Sequence, residues 1–253
     1  MKRKYEKPCY YCGEKAEENE HAPPKQMFKA FSCDSITVPA CKKHNSCKGG
    51  SDQAIVSSFL VPLYNGREKY NLEPEILKAI EQAKSAFIRT KRRAIDSPLF
   101  NDTPEEFKDL PNLAYIVPEM DIKSWVRQLT AALVCDAIQD IDYTIKWEDA
   151  MSWSPDFIEA SKPESLRFEN GVSILRKNYN IKLRLEQLVW INGWSAHPRA
   201  YPKIIYYFQL YFKPTEIVFR HKFYNQYTWY VWFSASQQTI SKLKDKISSQ
   251  NAC

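Results

Sequence analysis

The spacing of apolar residues along the chain predicts four amphipathic helices. The first begins near Asp52, a residue type suited to the N-cap position, and its apolar residues recur at helical spacing. Further helices are predicted over residues 74–93, where Pro74 suits the first turn, over 121–139 and over 237–248. The apolar positions that support the first helix are Ile55, Val56, Phe59, Leu60 and Leu63.

From Leu183 onward the pattern changes to an alternation of apolar and polar residues that is typical of strands. These stretches are rich in Tyr, Phe, Ile, Val and Trp, which favour a pleated, half-buried surface. Four antiparallel strands are predicted, over residues 185–191, 203–212, 216–224 and 228–234. The predicted fold class is therefore α+β, with a C-terminal antiparallel sheet.

The first 52 residues differ from the rest, because no long apolar period runs through them and they are rich in Cys, Lys, Glu and Pro. A segment of this kind needs a bound metal to hold its shape. We therefore divide the chain into residues 1–66, a metal-stapled module, and residues 67–253, a helical and antiparallel-sheet domain whose role, in recognition or in partner binding, the sequence leaves open.

Composition limits the classes of protein that the chain can belong to. With 253 residues and 44% hydrophobic residues it can bury a core, and about 100–200 residues per domain indicates one or two domains. The net charge of +6 favours an anionic partner without establishing one. No apolar run approaches the ~18 residues of a membrane span, so we expect a soluble, cytoplasmic chain.

Cysteine usage indicates metal binding rather than disulfides, because four of the seven cysteines lie between Cys9 and Cys41. Cys9 and Cys12 form one CxxC pair, and Cys41 and His44 form a second pair with the same spacing. Two residues between ligands let both side chains reach one tetrahedral ion. Four such ligands close the coordination shell, which predicts a structural Zn²⁺.

Other interpretations of these cysteines remain open at this stage. The CxxC could be a reduced redox pair accompanied by unrelated cysteines. Cys33 has no partner at this spacing, whereas Cys47 lies three residues beyond His44 and could compete with it as a ligand. A further alternative makes His44 catalytic and leaves the zinc with three protein ligands.

Glu20-His21-Ala22-Pro23-Pro24 lies between the two ligand pairs, and Asn45 directly follows the second pair. The frame CxxC…EHxxP…CxxHN resembles the HNH (ββα-metal) endonuclease family, in its zinc-stapled branch. The resemblance covers about residues 5–56. It implies a β-hairpin whose first strand ends at Glu20-His21 and whose return strand is 36–39, followed by the helix at Asp52.

The resemblance also implies roles in phosphodiester hydrolysis, which needs a base for water and a cation for the leaving oxygen. His21 would be the general base. Glu20 would bind a single Mg²⁺ or Mn²⁺ ion. Asn45 would position the histidine or help to hold the metal, its amide bonding a backbone carbonyl. Asp52 stands where the family has His or Asn, and is either a third metal ligand or only the helix N-cap.

Basic residues offer candidate phosphate contacts. Lys25 and Lys48 are the preferred ones, although both could be solvated surface charges. The basic run at the end of the helix predicted over 74–93 has two interpretations. The simpler one is a solvated helix end that complements the helix dipole, and the other is a patch that contacts phosphates.

The C-terminal two-thirds carries no recognisable motif. Its aromatic residues either fill a core or stack on unpaired bases. The residues concerned are Trp190, Trp194, Trp229, Trp232, Tyr206, Tyr207, Tyr227 and Tyr230.

The expected function is that of a metal-dependent DNA endonuclease. The alternatives are a non-catalytic zinc-stapled module that binds nucleic acid or protein, and an RNA nuclease. The resemblance further suggests an ATPase or other partner in a bacterial anti-phage defence system.

Overall fold

The computed structural model has the α+β architecture that the sequence predicts, with an N-terminal hairpin, helices and a C-terminal antiparallel sheet. Lys48, Cys33, Cys47 and the basic run up to residue 93 lie outside the described residues. The described residues are 7–28, 36–46, 52, 55, 56, 59, 60, 63, 72–82, 122–154, 180–194 and 205–251.

The hairpin consists of strands β1 (Glu18–Ala22) and β2 (Ile36–Ala40), which pair antiparallel with His21 opposite Thr37. Alternate residues of both strands are buried, as expected for a hairpin with one face on a core. The predicted strand pair is thus confirmed. The N-terminal segment is fastened to it, because the Tyr10 amide donates to the Pro39 carbonyl at 2.8 Å.

Three helices have described bounds: α1 (Pro74–Gln82), α2 (Ile122–Ile138) and α3 (Gln237–Asn251). α2 and α3 follow the predicted ranges closely. The predicted helix near Asp52 is also observed at every described position between 52 and 63. Its apolar positions are all buried, so the stripe seen in the sequence does face a core.

The stripe between residues 52 and 63 packs on both the sheet and α2. The Phe59 ring stacks on Phe223 with ring centroids 4.9 Å apart and lies tilted against Trp125 at 6.2 Å. α2 also contacts both strands of the hairpin. One continuous hydrophobic core therefore includes residues on both sides of position 66, and the proposed division into two domains stays a prediction.

The C-terminal sheet has five strands, which are β3 (Met151–Trp153), β4 (Ile191–Asn192), β5 (Tyr206–Phe212), β6 (Glu216–Phe223) and β7 (Tyr227–Ser234). Their order in the sheet is β3-β7-β6-β5-β4, and all neighbours pair antiparallel. Three of the strands, β5, β6 and β7, lie where the sequence predicts them.

The strand predicted over 185–191 is wrong in most of its length. Residues 180–186 are helical, and only Ile191 and Asn192 join the sheet. Ile181, Leu185 and Leu188 recur at i, i+4 and i+7, which suits a helix as well as a strand. The sequence also missed β3, which is three residues long and too short to carry a visible alternation.

The aromatic residues singled out in the sequence differ in burial. Tyr206, Tyr227, Trp229, Tyr230 and Trp194 are buried, as the core interpretation requires. The remaining three candidates, Trp190, Tyr207 and Trp232, are partly exposed.

His221 lies wholly inside the core and joins β6 to α2. The Thr130 hydroxyl donates to the Val126 carbonyl at 2.8 Å, so it accepts from His221 Nε2 at 2.9 Å. His221 Nδ1 then accepts from the Tyr206 hydroxyl at 2.9 Å. Burial lowers the pKa of His221 to about 3, so the ring is neutral in the folded protein.

No helix among the described residues is both long and apolar enough to cross a membrane.

Candidate metal centre and the hairpin beside it

The predicted tetrad of Cys9, Cys12, Cys41 and His44 is assembled in the structure, with its four ligand atoms within 4.8 Å of one another. Tetrahedral zinc with Zn–S of ~2.3 Å and Zn–N of ~2.0 Å requires about 3.8 Å between sulfurs and about 3.5 Å between sulfur and nitrogen. The observed Cys12–Cys41 and Cys9–His44 separations are 3.8 and 3.6 Å, and the Cys41–His44 separation is 3.2 Å. The cluster could therefore hold a zinc ion, with His44 as its ligand.

Two tight turns bring these side chains together. Gly13 closes the first turn with φ of +74°, a conformation that favours glycine, and its amide donates to the Cys9 carbonyl at 2.9 Å. The second is a 3₁₀ turn over Lys42–His44, which directly follows β2. Because β2 runs straight into this turn, the metal centre and the hairpin form one structural unit.

The thiols of the tetrad differ in their tendency to ionise. Burial raises the pKa of Cys9, but hydrogen bonds from the His44 ring and from backbone amides outweigh it and bring that pKa to about 6. Burial raises the pKa of Cys12 to about 12, and the neighbouring Cys9 adds to this. Three clustered thiolates repel one another, whereas a zinc ion at their centre stabilises all three.

Asn45 fastens the turn after the metal centre to β1. Its Nδ2 donates to the backbone carbonyl of Asn19 at 3.2 Å, which is the kind of contact that the family resemblance implies. The same Nδ2 donates to Glu18 Oε2 at 2.8 Å, and Ser46 donates to Glu18 through its amide at 3.1 Å and its hydroxyl at 3.0 Å. Glu18 is not predicted as a functional residue from the sequence, because only its position two residues before Glu20 distinguishes it from the other acidic residues nearby.

Glu20 and Asp52 are both buried carboxylates, with 4% and 6% of their surface exposed. Trp125 of α2 donates its indole Nε1–H to Asp52 Oδ1 at 2.8 Å. Asp52 lies within the helix, and its carboxylate accepts a hydrogen bond from Trp125 of α2. An N-cap residue would instead precede the helix and accept from the helix's own backbone, so the N-cap alternative does not describe Asp52.

Tyr10 is a buried phenol that senses the charges of both carboxylates. Its side chain is 1% exposed, and its hydroxyl has no hydrogen-bond partner among the described residues. Burial raises the pKa of Tyr10 well above its usual value, and the charges of Glu20, Cys9 and Asp52 raise it further. Both acids therefore lie within electrostatic reach of the same buried phenol.

His21 occupies a different environment from Glu20. Burial lowers the pKa of its imidazole, and the charge of nearby Lys25 lowers it further, so the ring is neutral at pH 7. Lys25 is exposed, in the 3₁₀ turn Lys25–Phe28 that follows β1. The alternation of side chains along β1 assigns Glu20 to the buried face of the hairpin and His21 to the opposite face.

Within the described parts of the chain, the Cys₃His tetrad is the one group of three or more His, Cys, Asp or Glu residues close enough to share an ion. Glu20, His21 and Asp52 do not form a second such group. Their assignment to a catalytic ion stays a prediction, and so does the role of Lys25 with phosphate.

Comparison of the chain with protein-family models, with curated proteins and with solved structures found no significant match.

Proposed function

We propose that this protein is a metal-dependent endonuclease of the HNH type that hydrolyses phosphodiester bonds in DNA. The observation that carries the proposal is the Cys₃His cluster at the end of a hairpin whose first strand bears Glu20 and His21. The bond from Asn45 to the Asn19 carbonyl adds to it, because it fixes the turn against the same strand. Order, spacing and local structure then agree with the motif over the N-terminal segment.

His21 acts as the general base in this proposal. A base that takes a proton from water must be neutral, and both burial and Lys25 keep the pKa of His21 below its usual value. Lys25 also offers a positive charge beside the base, where it can hold a phosphate oxygen. Lys48 would add a second phosphate contact.

Glu20 and Asp52 are the residues proposed to hold a Mg²⁺ or Mn²⁺ ion. Carboxylate oxygens are the ligands that such hard cations prefer, and Tyr10 offers a third oxygen, which has no hydrogen-bond partner in the described part of the chain. A bound ion would supply positive charge for the scissile phosphate and the leaving oxygen. The burial of both carboxylates excludes water and strengthens their hold on a cation.

The second candidate function is a zinc-stapled module that binds nucleic acid or protein without cleaving it. The alternation of β1 favours this candidate, because it directs His21 and Glu20 to opposite faces of the hairpin. Binding requires the metal centre but not the imidazole. On either function, the net charge of +6 suits a nucleic-acid partner, and an ATPase of a defence system would be a second partner.

A plasmid-nicking assay with Mg²⁺ or Mn²⁺ separates the two functions. We expect the wild type to nick and His21→Ala to lose nicking by at least about a hundredfold, the contribution typical of a general base. Thr37→Ala, which changes the residue opposite His21, is the matched control and should keep both zinc content and nicking. If the wild type and His21→Ala bind DNA equally and neither cuts, the binding module is the correct function. The same assay with RNA tests the RNA nuclease alternative.

A further inference from the structure

The hydrogen bond between Trp125 and Asp52 joins two parts of the chain that are far apart in sequence. The donor lies on α2 and the acceptor on the helix that follows the metal centre, 73 positions earlier. Both side chains are buried, so solvent does not compete for the contact. The indole N–H holds one oxygen of the carboxylate and so fixes where the carboxylate lies.

The chemistry of tryptophan makes this contact specific. The indole ring has a single polar atom, and it can only donate. A buried carboxylate that loses its hydrogen-bond donor is still cut off from water, so it is left without a partner for one oxygen. Loss of the indole N–H therefore destabilises the site far more than a small change in ring size does. Aromatic packing holds the ring itself, because Trp125 contacts Phe59 and Phe223 with ring centroids 6.2 and 5.7 Å away.

We propose that Trp125 is a positioning residue for the Asp52 carboxylate, so that α2 completes the cation site of the zinc-stapled hairpin. This inference rests on the proposed function, in which Asp52 holds a divalent ion. Groups that hydrogen-bond a metal ligand orient it, and their removal typically lowers metal affinity by about ten- to a hundredfold. The N-terminal module then depends on the rest of the chain for the geometry of its own site.

Trp125→Phe tests this, because it keeps an aromatic ring against Phe59 and removes the N–H. Trp194→Phe is the matched control: Trp194 is also buried and packs edge-on against a phenylalanine, and no described residue hydrogen-bonds its Nε1. In the zinc-loaded full chain, calorimetry with Mg²⁺ should show an affinity at least about tenfold lower for Trp125→Phe, and an unchanged affinity for Trp194→Phe. Equal affinities in the wild type and Trp125→Phe would overturn the proposal.

A second measurement uses the wild type alone and so does not depend on the folding of a variant. In a Mg²⁺ titration followed by ¹⁵N–¹H NMR, the indole resonance of Trp125 should shift with saturation of the ion site, while that of Trp194 stays in place. A Trp125 resonance that does not respond to Mg²⁺ contradicts the inference. Cleavage enters neither readout, so a protein that binds Mg²⁺ through this pair but never nicks DNA would refute the proposed nuclease and leave the inference intact.

Discussion

The buried His221 makes the stability of the fold depend on pH. Its folded-state pKa of about 3 lies well below the ~6.5 of an exposed histidine. Between these values the unfolded chain binds a proton that the folded chain does not, so stability falls as pH falls through this window. The slope is about 1.4 kcal/mol per pH unit, which amounts to roughly 2 kcal/mol between pH 7 and pH 5.

The assay is urea unfolding at pH 7 and at pH 5, with the wild type compared with His221→Gln. Glutamine can still donate and accept inside the core but does not titrate. Other titrating groups, including the metal centre, respond to pH equally in both proteins and cancel in the difference. We expect the wild type to lose about 2 kcal/mol more than the variant on acidification. Equal losses, or an NMR titration of His221 near pH 6.5, would refute the reasoning.

Three further predictions concern the metal centre and the hairpin. Cys41→Ala should abolish stoichiometric zinc, measured by atomic emission, and remove hydrogen-exchange protection from β2, whereas retained zinc at one per chain would show that the tetrad is not the site. Glu18→Ala should lower nicking and cost about 1 kcal/mol in urea unfolding without loss of zinc, because it releases Asn45 and Ser46. Gly13→Ala should cost roughly 1–2 kcal/mol in the same assay, since alanine is strained at φ of +74°, and an unchanged midpoint would contradict this.

The parts of the structure that the sequence predicts well are those specified by local spacing. Two ligand pairs with two intervening residues are enough to predict the tetrad, and the stripe between Ile55 and Leu63 is enough to predict a buried helix face. The contact of Asn45 with a backbone carbonyl came from the family resemblance, because an asparagine alone predicts no partner.

The parts that the sequence does not predict depend on contacts between distant segments. Asp52 looks the same in the sequence whether it caps a helix or binds a cation, and only the position of α2 shows that Trp125 donates to it. Leu185 fits both a strand and a helix, because its spacing to Ile181 and Leu188 suits either, and the structure has a helix there. The direction of His21 relative to Glu20 is likewise set by the pleat of β1, which a motif does not contain.

The most direct test of the account is a crystal structure of the chain with bound manganese and a short DNA duplex, with both metals located by anomalous scattering. The account predicts zinc among Cys9, Cys12, Cys41 and His44, and manganese held by Glu20 and Asp52 with the imidazole of His21 facing a phosphate. Zinc in the tetrad with no manganese at the two carboxylates, and with the DNA away from His21, would contradict it.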